Sequence, residues 1–273
     1  MKEIKYHEPE NSNVNIFLWG REGVGKTYLS ATMPKPCLYL TFDSNALNGV
    51  NDLLVSGAIK KEDLPEVPYD EGDYKEVANA YKKPNNPFGL NELYEKVQFK
   101  TVVMDSISSF FKLALQYGVE YANMTEKEKV TIERPGFAGY GVRSVATKET
   151  VFNLLNWCNK HNVNCIIIGH EGELQRDDST GLTYRSVQLS GDIPIEIARA
   201  CDECWLLSPS SAGERTLVVK PRANARPIKS RMFSSEVQFV QADNLDLSQL
   251  LDAWRANGKV NDQVISTLNG KEK

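Results

Sequence analysis

The segment that most restricts what this chain can fold into is Gly20-Arg21-Glu22-Gly23-Val24-Gly25-Lys26-Thr27, set between an apolar run, Val14 to Trp19, and the helix-forming stretch Tyr28-Leu29-Ser30-Ala31. The spacing G-x-x-x-x-G-K-[ST] arises by chance in roughly 1% of chains of this length. Its strand-loop-helix context is the one in which it works as a phosphate cradle. Glycines let backbone amides turn inward onto phosphate oxygens, Lys26 neutralises charge at the β and γ positions, and the Thr27 hydroxyl suits Mg²⁺. The helix that follows points its positive end at the anion. Gly20 to Thr27, together with Tyr28, form the expected nucleotide-binding segment, with the Lys26 side chain expected to stand exposed when the site is empty.

Further short apolar runs follow at Cys37 to Phe42, Thr101 to Met104, Val163 to Ile168, Cys204 to Leu207 and Thr216 to Val219. Several lack polar alternation, as expected of parallel strands covered on both faces. Helical patterns lie between them, at Lys26 to Thr32, Asn91 to Val97, Ile107 to Tyr117, Ser144 to His161 and Pro194 to Ala200. Alternating strands and helices predict an α/β fold with a mostly parallel central sheet flanked by helices. Residues 62 to 76 are acidic and four prolines (Pro65, Pro68, Pro84, Pro87) break the wider region, so about 50–99 reads as a surface insertion in a core spanning 1–245. Residues 246–273 carry one amphipathic helix, Leu247 to Ala256, and a polar tail.

Lys and Arg total 32 against 36 Asp and Glu, a net charge of −4, so attraction to nucleic acid has to be local. The amino-terminal residues lack the apolar run of a secretory signal, and no stretch approaches the ~20 apolar residues that span a bilayer. A cytoplasmic protein without membrane association is expected. The five cysteines do not suggest a disulfide framework, and Cys201 and Cys204 lack the partners of a metal site, so inert buried thiols are expected.

Thr101-Val102-Val103-Met104-Asp105 is an apolar strand ending in a carboxylate, which behind a phosphate loop suits the water shell of Mg²⁺ opposite Thr27. No guanine-selecting N-K-x-D occurs, and Ser106 follows Asp105 where AAA+ machines carry Glu. The order of motifs resembles RecA-like P-loop NTPases. From about Val14 to Phe233 the chain is similar to the compact, core-only RecA-like ATPases of bacteriophages, single-strand annealing or recombination proteins related to UvsX and also described as AAA-type nucleotide-binding phage proteins. The carriers are GREGVGKT, VVMDSIS, GFAGYGVR at Gly136 to Arg143, IIIGHE at Ile166 to Glu171, and Lys229-Ser230-Arg231.

The resemblance implies ATP and Mg²⁺ as cofactors, an ATPase activity that is slow or DNA-stimulated, and a sensor role for His170. It implies two DNA-binding loops, about Thr131 to Arg143 and Glu171 to Leu189, where Phe137, Tyr140 and Tyr184 would stack on bases and Arg134, Arg143, Arg176 and Arg185 would meet phosphates. Ordinary surface loops are the alternative reading of both. Family members commonly place Glu just after the second strand. Asn45 occupies that position here, so either Asp43 substitutes or hydrolysis is slow. Between Arg215 and Arg231 stand six cations and no acid. This is either a solvated basic strand or, as the resemblance implies, the source of Lys229 and Arg231 acting on the γ-phosphate of a neighbouring subunit. The expected function is action on single-stranded DNA in phage recombination, annealing or replication within an infected bacterial host. The implied partners are single-stranded DNA, further copies in a ring or filament, and a single-strand binding protein. A helicase or helicase-loader-like motor and a nucleotide-gated adaptor remain the alternatives.

Overall fold

The computed structural model describes residues 12–125, 129–210 and 213–268. In chain order the strands are β1 (Asn15–Gly20), β2 (Cys37–Thr41), β3 (Glu66–Pro68), β4 (Thr101–Asp105), β5 (Asn164–His170), β6 (Gln175–Arg176), β7 (Thr183–Tyr184), β8 (Glu203–Pro209), β9 (Arg215–Val218) and β10 (Phe239–Gln241). The helices are α1 (Lys26–Ser30), α2 (Asn51–Val55), α3 (Tyr74–Asn79), α4 (Leu90–Val97), α5 (Ile107–Thr125), α6 (Gly136–His161), α7 (Ile193–Ala200), α8 (Leu247–Asn257) and α9 (Asp262–Leu268).

Eight strands form one sheet in the order β10-β9-β8-β1-β5-β4-β2-β3. The six from β8 to β3 run parallel, and β9 and β10 add an antiparallel margin. Along β1, Phe17 and Trp19 enter one core with Leu38, Leu40, Met104 and Ile167, whereas Ile16 and Leu18 enter a second with Tyr39, Val103, Ile166 and Ile168. Helices α5, α6 and α7 cover the first face through Phe110, Leu154 and Ile197. Leu29 of α1 and Leu250 and Leu251 of α8 cover the second. Burial on both sides is why these strands read as continuous apolar runs rather than alternating ones. The result is an α/β architecture with a mostly parallel central sheet flanked by helices, as expected, and the carboxyl ends of β1, β2, β4 and β5 are brought to one edge.

Three parts of the structure differ from the sequence expectation. The acidic region is not only a surface excursion: β3 pairs with β2, and Val77, Phe88, Leu90 and Phe99 enter the core. Burying a side chain such as Phe88 or Leu90 contributes on the order of 1.5–3 kcal/mol, so this insertion is integral to the domain. The carboxyl-terminal segment likewise docks through α8, whose Leu247 and Ser248 amides donate to Thr32 Oγ1 and Thr32 O, and α9 follows where a polar tail was expected. Residues 269–273 of that tail lie outside the described residues.

The third difference concerns GFAGYGVR, expected as a loop but forming the first turns of α6. The physical reason is a crossing of α5 and α6 in which their backbones touch. A methyl group built on Gly118 would lie 2.3 Å from the Gly139 carbonyl oxygen. Glycine here serves close helix packing rather than loop flexibility.

Among the described residues no helix is long and apolar enough to cross a membrane. All five cysteines are buried and unpaired, and burial holds the Cys201 and Cys204 thiols well above their usual range.

Gly118→Ala tests the crossing. Alanine gains up to ~1 kcal/mol of helix propensity, but the atom it meets is backbone and cannot swing away, so overpacking of about 1–3 kcal/mol dominates. A lower urea midpoint is expected, and an unchanged or higher one refutes the close crossing.

Candidate nucleotide site

The loop after β1 turns because Gly25 takes φ 94°, a left-handed conformation that a side chain strains. Val24 is buried beneath it, while Arg21, Glu22 and Gly23 are exposed. Lys26 does not stand exposed as expected; it is 5% exposed, and its ammonium donates to Gly20 O at 2.9 Å and Arg21 O at 2.7 Å. These loop carbonyls accept the hydrogen bonds that phosphate oxygens would otherwise take. Burial lowers the Lys26 pKa to about 8, against the opposing pull of Asp105, Glu22, Asp43 and Glu171. An ammonium held this way gains from an incoming polyphosphate.

Thr27 Oγ1 donates to Asp105 Oδ2 at 2.7 Å, so α1 and the end of β4 present a hydroxyl and a carboxylate side by side. Burial raises the Asp105 pKa to about 6, helped by the charge of Asp43 and opposed by the Thr27 hydrogen bond. Two hard oxygen donors at the mouth of a phosphate loop fit Mg²⁺; Thr27 and Asp105 would hold it, and it would supply positive charge to polarise phosphate oxygens.

Asp43, just past β2, belongs to the same edge. Burial is the largest single influence on it and acts upward, but hydrogen bonds from His170, Ser109 and Ser106 together outweigh it and hold the pKa at about 2. Ser106 Oγ donates at 2.9 Å, Ser109 Oγ also donates, and His170 Nε2 lies 3.4 Å from Oδ2. His170 is anchored in turn, its amide donating to Ser108 Oγ at 3.0 Å while Nδ1 is buried without a partner. Asn45, in left-handed conformation, is exposed beyond this group. The structure therefore brings Lys26, Thr27, Asp43, Asp105 and His170 together, and puts Asp43 rather than Asn45 in the cluster.

The serines were not singled out in the sequence. Their only signal is the i, i+3 spacing of Ser106 and Ser109 behind Asp105, which faces both toward Asp43. Glu171 was quoted within a motif without a role. It lies over the start of the loop, its amide donating to Gly20 O at 2.9 Å and its carboxylate 3.8 Å from Arg21 and 3.7 Å from Arg185.

The expected DNA-contacting residues divide between two places. Phe137 is 98% and Tyr140 46% exposed on α6, with Arg134 exposed just before it. The Arg143 guanidinium lies over the rings of Phe111 and Tyr140, and Nη2 donates to Ser190 at 3.3 Å. In the β6–β7 hairpin Arg176 is exposed, but the Tyr184 ring is covered by Arg226 at 3.9 Å and its hydroxyl donates to Gln175. Arg185 is held by Glu171 and Ser208.

Lys229 and Arg231 do not reach the loop of their own subunit. Lys229 pairs with Cys204, which stands in register with Phe17, well below Gly20. Its ammonium donates to the carbonyls of Arg199 and Cys201 at the end of α7. That engagement within the subunit runs against the expected role in trans, because the ammonium would have to leave two carbonyls. Arg231 remains 73% exposed, 4.0 Å from Asp202.

The Lys26 environment makes a signed prediction. Its folded pKa of about 8 lies below the ordinary value of 10.5, so below pH 8 the burial of charge costs stability in full, at most about 3 kcal/mol. The cost fades as pH rises from 8 toward 10.5. Lys26→Met should thus lose nucleotide binding yet melt higher than the parent at pH 7, with the gap closing above pH 8. A variant that melts lower at pH 7 contradicts this account.

Residues 12–226 match the family model described as an AAA domain. Among solved structures, a KaiC-like protein from the hyperthermophilic archaeon Pyrococcus horikoshii OT3 is similar over 79% of this chain and 82% of that one, with 13% identity and a TM-score of 0.41. No curated protein matches the chain. The family match holds although Ser106 stands where AAA+ machines carry Glu. With a complete phosphate loop, a Thr27–Asp105 pair beside it and a match over most of its length, the chain belongs to the AAA domain family of P-loop NTPases.

Proposed function

We propose that this protein is an ATPase that acts on single-stranded DNA, in phage recombination, annealing or replication. The observation that carries the reading is a cavity of about 500 Å³ whose lining includes Lys112, Arg143, Glu173, Gln175, Gln188 and Ser108. It lies between α5, the start of α6 and the segment after β5, so it joins the two regions expected to meet DNA. Ser108 also accepts the His170 amide, which connects this cavity to the phosphate edge through one side chain. Lys112 and Arg143 outnumber Glu173 and leave net positive charge, and the exposed ring of Phe137 and the face of Tyr140 away from Arg143 supply stacking surfaces, the combination that single strands use. Arg231, exposed at the opposite end of the sheet, is the residue left to reach a neighbouring copy in a ring or filament.

Asp43 is the carboxylate that would orient and deprotonate the attacking water. Its low proton affinity makes it a weak base and favours slow turnover. This same feature favours the nucleotide-gated adaptor as a second reading, with binding and assembly rather than turnover as the output.

The deciding experiment is a titration of single-stranded DNA with and without ATP and Mg²⁺, reading oligomeric mass in the same samples. ATP-dependent, salt-sensitive binding is expected. Phe137→Ala and Tyr140→Ala should each weaken it by about 1–3 kcal/mol, whereas Tyr184→Ala, whose ring is already covered, should change it less. Parent-like DNA binding by both α6 variants moves the DNA surface elsewhere. Asp43→Asn should retain ADP binding and lose about 100-fold or more in hydrolysis. Unchanged hydrolysis removes Asp43 from the chemistry and leaves the base to another group.

A further inference from the structure

Of the six cations between Arg215 and Arg231, five lie away from the phosphate loop. Lys220 donates to Phe233 O, Arg226 pairs with Asp177, Lys229 and Arg231 occupy the far end of the sheet, and Arg222 is exposed beside Ala225. Arg215, the first residue of β9, is the exception. A methyl group built on Gly25 would lie 2.7 Å from Arg215 Nη1, and the guanidinium stacks over the Tyr28 ring at 4.8 Å. The loop residue before Lys26 and the residue after Thr27 both touch it.

The guanidinium is held in place before any ligand arrives. Arg215 Nε donates to Asp243 Oδ1 at 2.8 Å, Nη2 to Asp243 O at 3.2 Å, and the Arg215 amide to Asp243 Oδ2 at 3.0 Å. No hydrogen bond from Nη1 occurs among the described residues, and this is the nitrogen turned toward the loop. A planar fork fixed on one side with free donors on the other is suited to charge-assisted contact with a phosphate oxygen. The direction of approach selects which phosphate. Strand β9 lies beyond β8, on the flank of β1 opposite to β5, β4 and β2, which carry His170, Asp105 and Asp43. With Mg²⁺ and the terminal phosphate on the acidic flank, the opposite flank receives the nucleoside end.

We infer that Arg215 is a nucleotide-contacting residue acting in its own subunit, which binds the α/β diphosphate and, stacked on Tyr28, borders the nucleoside rather than the γ-phosphate. The inference rests on the nucleotide-binding reading of the site. It assigns to the first cation of the basic segment a role in holding ADP and ATP alike, where the resemblance implies that the last two, Lys229 and Arg231, act on the γ-phosphate across an interface.

The test is calorimetric titration of ADP and of a non-hydrolysable ATP analogue, each with Mg²⁺, into the parent, Arg215→Ala, Arg215→Gln and Lys26→Met, with melting curves for each. Arg215→Gln keeps the stem and a donor for Asp243, so it reports even if the alanine variant fails to fold. Loss of the charge-assisted contact should weaken both nucleotides by about tenfold, with the ATP-to-ADP preference unchanged within about twofold. A loss confined to the ATP analogue places Arg215 at the γ-phosphate and overturns the inference. Parent-like affinity for both nucleotides in a folded variant also overturns it, reducing Arg215 to a packing residue. If the parent itself fails to bind ADP, or Lys26→Met binds as the parent does, the nucleotide-binding reading fails instead.

Discussion

The arrangement depends first on the parallel pairing of β1 with β5 on one side and β8 on the other. Register sets Gly20 opposite His170 and Trp19 opposite Leu206, so the strands end at nearly the same height. In a parallel sheet every strand delivers its carboxyl end to the same edge, and a ligand there meets residues from several strands without any one having to reach far. Because β5 separates β1 from β4, the loop lysine and the Asp105 carboxylate face each other across a strand rather than colliding. Thr27, one helical residue further on, bridges that gap with a 2.7 Å hydrogen bond. Stability and site geometry are thus set by the same contacts: the apolar residues that fix the register also fix the spacing of the polar ones.

Electrostatics at this edge work against folding and in favour of ligand. Lys26 is buried in surroundings that lower its proton affinity, and Asp105 in surroundings that raise its own. Each is a charge whose compensation is incomplete, which the protein tolerates because the two cores beneath are extensive. Asp43 is the contrast: three donors hold it ionised, and each donor fixes its orientation. Burial makes one carboxylate of the edge costly to ionise, and hydrogen bonds keep the other from accepting a proton. That division fits a site that takes up a cation and a polyanion together.

Much of this was legible in the sequence for a physical reason. Strands buried on both faces need unbroken apolar runs, and such runs locate β1, β2, β4, β5, β8 and β9 within a residue or two. The phosphate loop was legible because its glycines and lysine act through local backbone geometry. What was hidden depends on contacts between distant residues. Strands β3 and β10 have three residues each and too little pattern to stand out. The resemblance implies a loop at Gly136 to Arg143, and only the presence of Gly118 on the neighbouring helix makes Gly139 a packing residue. The resemblance implies that Lys229 reaches a neighbouring subunit, and nothing near it in sequence reveals that the carbonyls ending α7 lie within its reach.

The same reasoning explains why the basic segment cannot be read as a unit. Six cations without an acid suggest one electropositive surface, yet the segment first forms β9, which runs antiparallel to β8 and carries the chain from the ligand edge toward the opposite end of the sheet. Its first cation therefore lies beside the phosphate loop and its last two at the far end, with different partners at each end. Asp243, from the turn after β10, neutralises part of Arg215 while leaving one nitrogen toward Gly25. Charge density along a sequence measures what a segment could attract, but strand direction decides where each charge is delivered. In this protein that direction separates Arg215, beside the phosphate loop, from the exposed Arg231 by the length of a strand.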